Sequence, residues 1–116
     1  MRLPKWLKVG PRSYALVVTP NLQEGDPPKA CWGLYQSAEE RIRVDADALG
    51  RPVILAETLL HEALHALDKH MRLGLSEQQV TALDVGLTAL LVDNRVLRQA
   101  VEEAVAEHKR KTRGLA

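Results

Sequence analysis

The sequence predicts an α+β fold. A three-stranded, mostly antiparallel sheet is expected over about residues 13–46, an active-site helix over about 53–72 and one or two C-terminal helices over about 77–111. Three observations carry this. β-branched and alternating apolar runs fill the first half and stop near Ala46, the pattern of half-buried strands. From Val53 onward, apolar residues recur at helical spacing instead. The length of 116 residues, 46% of them hydrophobic and 27% charged, suits one domain spanning 1–116.

In chain order, Met1 to Pro11 is basic, is interrupted by Pro4, Gly10 and Pro11, and reads as a turn or arm. Tyr14 to Thr19 is a β-branched run stopped by Pro20-Asn21, a first strand. Asn21 to Lys29, with Gly25, Pro27 and Pro28, reads as a loop. Cys31 to Gln36 is a second strand weakened by Gly33, and Ser37 to Glu40 a turn. Arg41 to Ala46 alternates polar and apolar residues as a third strand, which sets Tyr35 near Ile42 across a hairpin.

Pro52 suits the first turn of a helix. In that helix Leu60, Leu64, Leu67 and Met71 form one apolar stripe, and Leu59, Ala63 and Ala66 a second. Only a wedge of Thr58, His61, Glu62, His65 and Asp68 stays polar, so the helix should be largely buried with the wedge facing something polar. Gly74 reads as the C-cap. Ser76 with Gln79 three residues on is a capping box that opens the next helix. The expected buried stripe of that helix is Val80, Leu83, Leu87, Leu90 and Leu91, and its polar stripe is Glu77, Thr81, Asp84 and Thr88. A further helical segment, Arg95 to Lys111, either continues it or breaks at Asp93-Asn94, and the basic tail Lys109 to Arg113 is expected to fray.

Composition narrows the partners. The net charge of +1 gives no global field for a nucleic acid, and the basic tail reads as a solvated terminus. No segment approaches the roughly 20 apolar residues of a membrane span. Cys31, the single cysteine, excludes an internal disulfide and fits a reducing, cytoplasmic setting; it reads as inert core. Trp6 and Trp32 read as packing residues, and His70 and His108 as surface residues.

The chemistry concentrates in His61-Glu62-Ala63-Leu64-His65. Histidines four apart on a helix lie on one face and can reach one metal ion, and the Glu after the first is placed to act on a water beside that metal. The expected cofactor is Zn2+, with His61 and His65 as ligands and Glu62 as general base. Burying three titratable groups on one helix face without a metal would be costly. Two acids compete for the third position. A turn centred near Gly74 brings Asp84 to the level of His65, which favours Asp84; side-chain type favours Glu77, the longer carboxylate. Asp68, one turn past His65, reads as an acceptor that orients a ligand His. Tyr14 and Tyr35 are candidate donors to an oxyanion. A substrate would add as a strand along the sheet edge.

The stretches Thr58 to Asp68, Leu75 to Val80 and Leu87 to Asn94 carry a resemblance. From about Ile54 to Asn94 the chain resembles the zincin metallopeptidases of the HExxH type, in particular the small metallopeptidases of bacteria and their phages near the ImmA/IrrE and SprT-like groups. That resemblance implies zinc on His61, His65 and an acidic residue, catalysis by Glu62, and a peptide or protein substrate. It departs from the metzincins, since Asp68 and Met71 stand where those carry Gly and a third His. The alternative is a catalytically silent, zinc-stabilised domain that binds a regulatory partner. A chain this short leaves little protein for a deep cleft, so a dimer or second protein is expected to contribute to recognition.

Overall fold

Trp6–Val9 (β1) and Arg12–Thr19 (β2) pair antiparallel across Gly10-Pro11. Gly10 has φ 58, the left-handed backbone that a two-residue hairpin turn requires and glycine tolerates best. The basic stretch expected to be a turn or arm therefore supplies a strand. Four residues are too few for the alternation of Leu7 and Val9 to stand out. The computed structural model describes residues 2–114.

After β2 the chain makes an excursion expected to be a loop. It contains a small hairpin, Gln23–Glu24 (β3) against Lys29–Ala30 (β4). Leu22 is buried, and its N–H donates to Asp45 Oδ2 at 2.9 Å, which ties the excursion to the main sheet. Gly33–Gln36 (β5) then descends one strand-width away from β2, and Arg41–Asp45 (β6) returns through the gap. The main sheet consequently runs β1-β2-β6-β5. It has four strands and is mixed, because β6 pairs antiparallel with β5 but parallel with β2. This corrects the expected strand number of three, while two of the three pairings are antiparallel, in line with the mostly antiparallel sheet expected. The pairing of Tyr35 with Ile42 is as expected.

A short 3-10 turn, Ala46–Gly50, leads into α1, Pro52–Met71. Pro52 lies in the first turn, where its missing N–H costs nothing. The helix packs on one face of the sheet, where Ile42, Val44, Tyr14 and Val9 meet Leu55 and Ala66. Each such aliphatic side chain contributes roughly 1.5–3 kcal/mol by leaving water. α1 ends at Arg72, which adopts φ 54 and donates its N–H to the Asp68 carbonyl. Gly74, the expected cap, lies beyond it in the connector with φ 71.

Ser76 and Gln79 form the expected reciprocal cap and start α2, Glu77–Asp93. Asn94 is extended and breaks the helix, so Arg95–Gly114 is a separate α3 that stays helical through the basic tail expected to fray. The face α2 buries is a correction. Val80, Asp84 and Thr88 are buried, whereas Leu83, Leu87 and Leu90 are exposed. Two members of the expected polar stripe thus point inward. Among the described residues no helix is long and apolar enough to cross a membrane.

Candidate metal centre

The polar wedge of α1 faces β5 on one side and α2 on the other. His61 Nε2 lies 2.7 Å from Glu77 Oε1, His65 Nε2 lies 2.9 Å from Glu77 Oε2, and the two Nε2 atoms are 3.1 Å apart. His61, His65 and Glu77 are the one group among the described residues whose ligand atoms converge closely enough to hold a metal ion. Two imidazoles and a carboxylate are a donor set that suits zinc. A tetrahedral ion with bonds of about 2.1 Å sets its ligand atoms roughly 3.4 Å apart, so the three side chains fit after opening by a few tenths of an ångström.

Asp84, the other of the two rival acids, stands behind His61. Its Oδ2 lies 2.7 Å from His61 Nδ1, the ring nitrogen that faces away from Glu77. A proton on Nδ1 shared with Asp84 leaves the Nε2 lone pair free for a metal, the usual arrangement of a carboxylate behind a ligand histidine. Glu77 therefore stands with the two histidines where a metal ion could be held, and Asp84 stands behind His61. The helix offset and the reach of the Glu side chain produce this placement. Arg72 to Ser76 form a connector that lets α2 slide along α1, so His61 meets both Glu77 and Asp84. Asp68, expected to orient a ligand, instead accepts a hydrogen bond from the Leu75 N–H at 3.2 Å and fastens the connector.

Glu62 is buried between α1 and β5. A Cβ on Gly33 would meet Glu62 Oε2 at 2.9 Å, Glu62 Cγ at 3.0 Å and Thr58 Cγ2 at 2.6 Å. The glycine that weakened the strand pattern is thus what lets β5 press against the carboxylate. Burial raises the Glu62 pKa to about 7. The positive charge of His61 and the Tyr35 backbone pull it down, while Glu77 and Glu24 push it up. Burial also pulls the His61 imidazole down, but the Asp84 hydrogen bond and the charges of Glu62, Glu77 and Asp84 outweigh it and raise its pKa.

These side chains line an open cleft of about 540 Å³, walled by Cys31, Trp32 and Gly33 on one side and by Thr81, Asp84 and Val85 on the other. Several of these residues were not legible as site residues. Trp32, expected to be packing, is 41% exposed on the cleft wall with the Arg51 guanidinium 5.9 Å from its ring centroid. Cys31, expected to be core, is half-buried there, its thiol pKa raised by burial and by Glu24, Glu62 and Asp45. Glu57 lines the cleft one helical turn before His61, a spacing that would have revealed it.

The two tyrosines do not present hydroxyls to the cleft. Tyr14 is buried, and its hydroxyl lies 2.7 Å from Nε2 of His70, which is half-buried rather than on the surface. Tyr35 stacks edge-on against Tyr14 with its hydroxyl buried and unpartnered among the described residues. Burial, then Tyr35, pushes the Tyr14 pKa up to about 12. The chain matches no protein-family model, no curated protein and no solved structure.

Proposed function

We propose that this chain is a zinc-dependent metallopeptidase with His61, His65 and Glu77 as the metal ligands and Glu62 as the general base. One observation carries the proposal: three ligand atoms within 4.8 Å of one another lie in an open cleft beside a buried carboxylate. Zinc bound there would supply a Lewis acid that acidifies water and polarises a carbonyl. Glu62 then accepts the proton of the attacking water and returns it to the leaving nitrogen. Its raised pKa suits that exchange near neutrality. Asp84 holds His61 in the tautomer and orientation that zinc needs. β5 is an edge strand of the main sheet, so an extended peptide adds along it, next to Glu62. The resemblance to the HExxH zincins agrees with this assignment.

A second reading, a zinc-stabilised partner-binding domain without catalysis, is favoured by α3, which among the described residues buries nothing. Replacing Glu62 by Gln separates the two. An enzyme keeps its zinc and loses at least 100-fold in peptide hydrolysis. Zinc retained, with no hydrolysis in either protein across a peptide library, supports the partner-binding domain.

A further inference from the structure

Of the fifteen exposed large apolar side chains among the described residues, nine lie on α2 and α3. Leu83, Leu87 and Leu90 follow one another at helical spacing along α2, and Leu90 is 50% exposed. On α3, Leu97, Val101 and Val105 repeat every four residues alongside Ala100 and Ala104, with Val101 49% exposed. Charged residues fill the opposite side of α3. Such amphipathic helices normally bury the apolar stripe.

The chain cannot cover these stripes with each other. An antiparallel helical hairpin needs a loop of about 2–5 residues, and only Asn94 separates α2 from α3. Arg98 reinforces the break by donating to the carbonyls of Leu91 and Val92 at the end of α2. α3 is therefore held off its own α2.

We propose that the occupant is a second copy of this chain, in a two-fold dimer in which α3 of each copy covers the leucine stripe on α2 of the other. Two features select this partner. Both halves of the contact are present in one chain, as a self-complementary two-fold interface requires. Area suffices as well. Six large apolar side chains on the two stripes are exposed: Leu83, Leu87 and Leu90 of α2 and Leu97, Val101 and Val105 of α3. At roughly half exposure each, two copies together remove on the order of 1,000 Å² of apolar surface from water, the size a specific interface needs. The dimer is independent of the metal assignment.

The test is sedimentation of the full-length protein at micromolar concentration, with Leu87→Glu/Leu90→Glu on α2 and Val101→Glu on α3 as variants. The wild type should sediment as a dimer, and each variant as a folded monomer with at least a 100-fold weaker association. Circular dichroism and thermal melting report folding of the variants, since these side chains lie outside the core. A wild-type monomer at 100-fold higher concentration overturns the proposal. So does a dimer that survives Leu87→Glu/Leu90→Glu, because contact between the α3 helices alone would then explain it. Should an α2 variant fail to fold, Leu90→Gln replaces it with the same expected loss of dimer.

Discussion

Asp84 Oδ2 holds His61 Nδ1 at 2.7 Å, on the side of the ring opposite Glu77. This contact explains why a helix with a run of leucines turns an aspartate inward. The buried carboxylate is stabilised by an imidazole that it in turn fixes in place.

Asp84→Asn and Glu77→Gln should therefore behave differently. Asp84→Asn keeps a hydrogen-bond acceptor but loses the charge, and zinc affinity should fall about 10–100-fold. Glu77→Gln removes a ligand and should weaken binding further. Competition with a chromophoric chelator measures both. A larger loss for Asp84→Asn than for Glu77→Gln would make Asp84 the ligand.

Gly33→Ala should be destabilising by about 1–3 kcal/mol, because the new methyl group overpacks against Thr58 and Glu62. Adding Thr58→Ser removes the closest contact, Cγ2, and leaves those with Glu62. The double variant should regain melting temperature while kcat stays low and KM little changed. Recovery of kcat together with stability would reduce Gly33 to a packing role.

The stability of the metal-free protein should fall as pH rises from about 4.5 to 7. Glu62 has its pKa raised from 4.5 to about 7 by burial. In that window the folded protein keeps a proton that the unfolded chain has released, so the stabilisation present below 4.5 is lost through 7. His61 is shifted in the same direction. Glu62→Gln lacks the first contribution. Thermal melts in chelator should show a shallower decline for the variant, which should be several degrees more stable than wild type at pH 8. Parallel curves would mean that the Glu62 carboxylate is not desolvated. Zinc affinity should rise over the same range, because the ligand His61 must be deprotonated.

Much of the site was legible because its determinants are local. The spacing of His61 and His65, the position of Glu62 and the Ser76-Gln79 cap depend on one helix each. The Tyr35–Ile42 pairing depends on one hairpin. What the sequence concealed depends on distant partners. β6 enters beside β2 only because β5 has already taken the outer position. Glu77 rather than Asp84 meets both histidines because the Arg72 to Ser76 connector sets the helix offset. Polarity alone placed Leu83, Leu87 and Leu90 inside, but burial of Asp84 against His61 rotates them outward.

The central claim is that His61, His65 and Glu77 hold one zinc ion. Elemental analysis of the purified protein, with zinc X-ray absorption to identify the ligands, tests it most directly. The account expects one zinc per chain bound by two imidazoles and carboxylate or water oxygen, with the metal lost in His65→Ala. A folded protein that takes up no zinc, or one whose zinc survives His65→Ala with unchanged ligands, would contradict it.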